Sequence, residues 1–201
     1  MGQRLVVTIE RNEQSLAKLY FHWSAYTGDA LYVTRDIVHC IYNHKEETDR
    51  EMLLRLIRFC EKRGGGIDGG EGSNAWKYIV TTYPGEKFKS EGISCSDGLI
   101  AIDEDSMEEM QIYSEGDVYI NLDEDMINFG VYAGYEELDE YLEIMGEDEE
   151  FEGLTEKDIP YIDYELGNIN VNDIDAIVDA FEKTDDVHNL IRFGSEIVEL
   201  C

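Results

Sequence analysis

The side chains best suited to chemistry are carboxylates in two short runs, each with the sequence Asp-Glu-Asp, at residues 103–105 and 123–125. Clustered carboxylate oxygens are the ligands that Ca²⁺ prefers in proteins. Neither run, however, continues into the glycine and the terminal glutamate that complete a helix-loop-helix calcium loop. We therefore expect these carboxylates to attract cations diffusely, and we predict neither a built metal site nor a cofactor.

A second set of side chains has the chemistry of zinc ligands or of a Cys-His nucleophile, and it consists of His39, Cys40, His44 and Cys60. His39 and Cys40 are neighbours on a predicted helix, so their side chains point about 100° apart. We therefore interpret the set as structural. An enzyme is the least favoured hypothesis, and its first candidate residues are His22, Cys40 and Asp103.

A glycine-rich segment at residues 64–69 matches the spacing G-x-G-x-x-G of a dinucleotide-binding loop. In that loop a strand precedes the glycines, whereas here a predicted helix precedes them. In addition, the carboxylates of Asp68 and Glu71 would repel a phosphate. We therefore predict a flexible connector at this position.

Charge is distributed very unevenly along the 201 residues. Residues 1–89 contain 13 lysines and arginines against 12 aspartates and glutamates, whereas residues 90–201 contain 3 against 34. The net charge of −30 is therefore almost entirely a property of the second half. Such asymmetry is typical of an interaction surface, and its alternative is an acidic face that is merely solvated. Because phosphates would be repelled, we predict no direct binding of nucleic acid.

The hydrophobic patterns that must position these residues predict an α+β fold with a largely antiparallel sheet, about four helices and a strongly acidic C-terminal half. Strands are predicted at residues 4–11, 16–26, 76–83, 98–103, 117–122, 127–132 and 194–200. Helices are predicted at residues 27–41, 48–63, 135–145 and 173–183, with a short helical stretch at residues 107–112. Thr48 and Glu51 have the spacing of a helix capping box, and Thr27 is the expected cap of the preceding helix.

We expect one compact unit with two unlike halves that meet at a seam near residues 84–92. Residues 1–89 form a near-neutral half with a β-hairpin and two helices, and residues 90–201 form an acidic half of strands and helices. In the helix predicted at residues 135–145, four apolar side chains fall on the inward face, namely Leu138, Tyr141, Leu142 and Met145. Its acidic residues fall on the outward face, which predicts an anionic ridge that continues to residue 152.

The predicted partner-binding residues are the carboxylates of the two Asp-Glu-Asp runs and of this ridge. They are Asp103, Glu104, Asp105, Asp123, Glu124, Asp125, Glu136, Glu137, Asp139, Glu140, Glu143, Glu147, Asp148, Glu149, Glu150 and Glu152. In size and composition the chain is similar to the DNA-mimicking inhibitors that phages and mobile elements use against restriction or CRISPR nucleases. This resemblance implies an inhibitor or adaptor that binds a basic, nucleic-acid-handling protein, such as a host defence nuclease.

A module that binds a small ligand or a metal ion is the alternative function, and it would have a pocket beside the Asp-Glu-Asp turns. The first residues lack the apolar core of a secretory signal, and no apolar run is long enough to span a membrane. The four cysteines are widely spaced and form no C-x-x-C pair. We therefore expect a cytoplasmic protein with free thiols and no membrane partner, located in the host cytoplasm if a phage encodes it.

Overall fold

The computed structural model describes residues 5–21, 25, 28–63, 76–81, 99–101, 116–129, 133–135, 138–147, 152–164, 168–183, 190–194 and 196–199. Its strands are β1 (Leu5–Arg11), β2 (Gln14–Phe21), β3 (Trp76–Thr81), β4 (Leu99–Ala101), β5 (Gly116–Asn121), β6 (Met126–Phe129), β7 (Ala133–Tyr135), β8 (Tyr161–Ile162), β9 (Ile169–Asn170), β10 (Leu190–Phe193) and β11 (Glu196–Glu199). Its α-helices are α1 (Asp29–Tyr42), α2 (Asp49–Arg63), α3 (Leu138–Met145) and α4 (Ile174–Phe181). Two short 3₁₀ turns, Glu156–Asp158 and Val171–Asp173, complete the described elements.

The strands form two sheets, one of seven strands in the order β4-β3-β2-β1-β5-β6-β9 and one of four in the order β7-β11-β10-β8. Six of the nine pairings between described strands are antiparallel. The predicted α+β class, with a largely antiparallel sheet and about four helices, is therefore confirmed. No helix in the described part of the chain is both long and apolar enough to cross a bilayer.

The predicted hairpin is present, and its turn is shorter than the sequence indicates. Only Asn12 and Glu13 lie between β1 and β2, with φ angles of 53° and 61°. A two-residue turn with both φ angles positive matches the twist of paired strands, and asparagine tolerates that conformation better than most residues. The turn consequently brings the end of β1 and the start of β2 to one tight corner of the sheet.

Strand β1 joins the two halves of the chain. It pairs with β2 on one side and lies parallel to β5 on the other, with Leu5 opposite Gly116 and Glu10 opposite Asn121. All side chains from Leu5 to Ile9 are buried, as expected for a central strand covered on both faces. The near-neutral half and the acidic half therefore contribute strands to the same sheet.

The capping box predicted for the second helix is confirmed at the start of α2. The backbone N–H and the hydroxyl of Thr48 donate to Oε2 of Glu51 at 2.9 and 2.7 Å. These hydrogen bonds favour the ionised carboxylate and lower the pKa of Glu51. For α1, the N-cap is Gly28, and the predicted cap Thr27 lies outside the described residues.

Two hydrophobic cores lie on either side of the four-stranded sheet. The larger core joins the seven-stranded sheet to α1, α2 and α4, and the smaller one lies beneath α3 and contains Tyr141, Ile159, Leu190 and Ile197. Strand β10 contributes to both cores, because its successive side chains point to opposite faces of the sheet. Leu190 belongs to the small core, and the next residue, Ile191, belongs to the large one. Helix α3 is therefore the outermost layer of this side of the molecule.

Several sequence-based expectations fall on residues that the structure does not describe. These are the connector at residues 64–69, the seam near residues 84–92 and the helical stretch at residues 107–112. In contrast, the short strands β7 to β10 were not predicted. They contain two to four residues each, too few to show the period-two alternation by which a strand is recognised.

Candidate functional site

Helix α3 has a buried apolar face and an exposed face that carries carboxylates. Tyr141 is completely buried, and Leu138, Leu142 and Met145 pack against the small core. Asp139, Glu140 and Glu143 are exposed, which confirms the predicted amphipathic helix over these residues. The buried tyrosine packs the helix onto the four-stranded sheet, so the acidic face points away from it.

The carboxylates on this face form no ion pair within the described part of the protein, and Asp139 and Glu140 lie in the first turn of α3, where the helix dipole favours them. No ion pair between described residues involves Asp139, Glu140 or Glu143, and the last turn of α3 contains no basic residue. Residues three or four apart are neighbours on a helix surface, so Glu143 repels both of the other carboxylates. Glu143, nearer the C-terminal end of α3, is therefore the carboxylate in the least favourable position.

An exposed apolar side chain stands among these charges. Ile144 is 48% exposed, and it is one of two large hydrophobic side chains that are exposed among the described residues. Helical spacing places it next to Glu140, four residues earlier, and Glu147 is exposed in the turn that follows the helix. We call Asp139, Glu140, Glu143, Ile144 and Glu147 the α3 ridge.

The second exposed apolar side chain, Tyr161, belongs to β8, an edge strand of the four-stranded sheet. The Arg192 guanidinium lies 4.6 Å from the centre of its ring and donates to Glu156 at 2.8 Å. Arg192 is one of only three basic residues in the second half of the chain. Because it is already engaged, it does not neutralise the ridge.

The carboxylates of the second Asp-Glu-Asp run have a different environment from those of α3. Asp123 accepts a hydrogen bond from the backbone N–H of Asn12 at 2.5 Å, which links the β5–β6 turn to the β1–β2 turn. The side chain of Asn121 accepts from the backbone N–H groups of Asp123 and Glu124 at 2.9 and 3.1 Å. Asp123 therefore has a structural role, in addition to any contact with a partner.

The third member of this run faces the first half of the chain. Asp125 has a φ of 54° and lies close to the hydroxyl of Tyr42 at the end of α1. Burial, and then the nearby carboxylate of Asp125, raise the pKa of Tyr42, although the hydroxyl makes no hydrogen bond of standard geometry with the described residues. Asp125 is thus partly enclosed by the near-neutral half.

Eight of the predicted partner-binding residues lie outside the described residues, namely Asp103, Glu104, Asp105, Glu136, Glu137, Asp148, Glu149 and Glu150. Among the described ones, Asp139, Glu140 and Glu143 stand together on α3, and Glu147 and Glu152 are exposed in the segments that follow it. The turn at residues 123–125 packs instead against the hairpin and the end of α1. The described carboxylates therefore form two groups with different neighbours.

His39, Cys40 and His44, whose side chains the structure describes, do not assemble into a metal site, and the side chain of Cys60 lies outside the described residues. No group of three or more His, Cys, Asp or Glu side chains suited to a metal ion occurs in the described ranges. His39 instead contacts Asp175 of α4, with 3.0 Å between Nε2 and Oδ2. Burial raises the pKa of the half-buried Cys40 thiol, which disfavours the thiolate that a nucleophile needs.

Sequence reasoning missed a cleft of about 150 Å³ beside Asp125. It lies where the end of β1, the loop between α1 and α2 and the β5–β6 turn meet, and Arg11, Tyr42 and Lys45 contribute to its walls. These residues are distant in sequence, and no local sequence pattern indicates that they lie close together in the fold. A pocket at this position is what the small-ligand alternative requires.

No protein-family model matches the chain, and neither the characterised proteins nor the solved structures include a significant match.

Proposed function

We propose that the protein is an acidic inhibitor or adaptor that binds a basic, nucleic-acid-handling protein, with the α3 ridge as the contact that imitates a nucleic acid. The observation that supports this proposal is the exposed row of carboxylates on α3, which form no ion pair among the described residues, on a helix packed through a buried tyrosine. The uneven charge of the two halves of the chain supports it as well.

The density of charge on α3 is comparable to that of a nucleic-acid strand. Asp139 to Glu143 spans four residue steps, or about 6 Å of helix axis at 1.5 Å per residue. Three carboxylates therefore occur over a length in which one DNA strand, at about 3.4 Å per phosphate, carries about two charges. A groove lined with Lys and Arg can accept such a surface without rearranging its own cations.

Ile144 gives the ridge a feature that a merely solvated acidic helix lacks. Charge complementarity mainly speeds association and selects partners, whereas tight binding depends on a few buried contacts near the centre of an interface. An exposed isoleucine surrounded by carboxylates has that arrangement. We therefore expect the partner to have an apolar pocket bordered by basic side chains.

The test is competition with fluorescent duplex DNA for a panel of restriction endonucleases, CRISPR nucleases and basic nucleoid proteins, measured by anisotropy at low salt. The wild-type protein should displace DNA from at least one of them. A ridge variant with Asp139→Asn, Glu140→Gln and Glu143→Gln should compete at least about tenfold less well, equivalent to about 1.4 kcal/mol. Added salt should weaken the competition, because the contact is electrostatic.

A matched control variant changes the same net charge at exposed carboxylates elsewhere, with Glu46→Gln, Asp163→Asn and Asp179→Asn. It should compete as the wild type does. An equal loss in the control would show that only the total charge matters. Failure of the wild type to displace DNA from every member of the panel at low salt would refute the proposed function.

A small-ligand module is the second candidate function, and the cleft beside Asp125 favours it specifically.

A further inference from the structure

The cleft beside Asp125 combines charged walls with an apolar wall. Ile41 and Met52, which are almost fully buried, and Leu122, which is partly buried, supply aliphatic surface. Its other walls come from three separate segments of the chain, so the cleft exists only in the folded protein. Such a mixture of apolar surface and a few fixed polar groups is typical of sites for small molecules.

Two of the charged residues that line the cleft form ion pairs with residues that do not line it. Arg11 forms an ion pair with Asp49, and Glu47 forms one with Arg55. Neither Asp49 nor Arg55 lines the cleft. The charges of Arg11 and Glu47 are therefore already balanced before a ligand binds.

The two remaining formal charges, Lys45 and Asp125, have opposite signs and no ion pair with any described residue. The Lys45 ammonium lies 4.7 Å from the centre of the Tyr42 ring. Asp125 lies near the hydroxyl of the same ring. Tyr42 thus separates a cation from an anion, and both border the cleft.

We propose that this cleft binds a small zwitterion with an aliphatic side chain, that is, a free amino acid of the leucine or methionine type. Its ammonium group pairs with Asp125 and its carboxylate pairs with Lys45. Its side chain lies on the aliphatic wall of Ile41, Met52 and Leu122. This function is separate from the proposed contact of α3 with a basic protein, and it does not depend on it.

Other ligand classes leave one of the two charges unmatched. A simple anion would pair with Lys45 but would be repelled by Asp125 and by a protein whose net charge is −30. A simple cation would pair with Asp125 but would approach the ammonium of Lys45, which forms no ion pair with a described residue. A zwitterion carries no net charge, so the overall field of the protein does not oppose its entry.

Isothermal titration of the full chain with L-leucine, L-methionine, glycine, acetate and methylammonium tests the proposal. Leucine or methionine should bind at one saturable site, at least about tenfold more tightly than glycine or either single-charge probe. The variants Asp125→Asn and Lys45→Gln should each weaken this binding at least about tenfold. Asparagine suits the positive φ of residue 125, so the first variant retains the turn.

Glu124→Gln is the matched control, because residue 124 lies on the same turn and does not line the cleft. It should bind leucine or methionine as the wild type does. Circular dichroism verifies that each variant is folded, and Lys45 is exposed, so its replacement does not disturb packing. The proposal is refuted if neither leucine nor methionine binds at up to about 10 mM, or if binding survives both cleft variants unchanged.

Discussion

The β5–β6 turn and helix α3 each contain three carboxylates, yet the fold gives these carboxylates opposite environments. On the turn, Asp123 accepts a backbone hydrogen bond from Asn12 of the neighbouring hairpin. On α3, Asp139, Glu140 and Glu143 point into solvent without an ion pair among the described residues. The comparison teaches that an acidic run becomes a structural element where the fold brings a donor to it, and an available surface where it does not.

The largest effect on stability should come from removing the buried tyrosine that packs α3 against the sheet. Tyr141→Ala deletes a fully buried ring from the small core, and such deletions cost about 3–5 kcal/mol of unfolding free energy. Urea unfolding followed by circular dichroism measures the change. Ile144→Ala, on the same helix but half exposed, should cost less than about 1 kcal/mol. Similar losses in both variants would mean that α3 is not anchored through its tyrosine.

An intermediate effect is expected on the turn. Asp123→Ala removes the acceptor of the Asn12 backbone N–H and with it one of the hydrogen bonds between the β5–β6 turn and the hairpin, at a cost of about 1–2 kcal/mol. Glu124→Ala is the control, because no hydrogen bond of its side chain occurs among the described residues, and it should change stability by less than about 0.5 kcal/mol. Equal values for the two variants, again from urea unfolding, would show that Asp123 has no structural role.

The smallest effect should have the opposite sign. Glu143→Gln removes repulsion with Asp139 and Glu140, and it should stabilise the protein by about 0.5 kcal/mol in a buffer of low ionic strength. The gain should disappear in about 1 M NaCl, where charges are screened beyond about 3 Å. A destabilisation by Glu143→Gln would contradict the view that this carboxylate is uncompensated.

The elements that could be predicted from sequence are those whose signals are local. Three patterns are of this kind: the capping box of Thr48 and Glu51, the amphipathic pattern of α3, and the hairpin of β1 and β2. Within each pattern, the residues that interact are close to one another along the chain. Strand β9, with two residues, is too short to produce a pattern. Its pairing with β6 is stabilised by tertiary packing, which leaves no local trace.

The same distinction between local and long-range signals applies to the two candidate sites. The acidic outward face of α3 follows from helical periodicity, so its residues could be named from the sequence alone. The cleft could not be predicted, because Arg11, Lys45 and Asp125 come from three segments that only the folded sheet brings together. For the same reason, the hydrogen bond from Asn12 to Asp123 could not be expected from composition.

The parallel pairing of β1 with β5 has a consequence for the synthesis of the protein. The ribosome completes Gly116–Asn121 only after about 110 further residues have followed β1, which takes roughly 5–20 s at usual elongation speeds. During that interval β2 is available as a neighbour, but the other edge of this apolar strand stays open to aggregation. Nascent chains should consequently engage chaperones before the acidic half emerges.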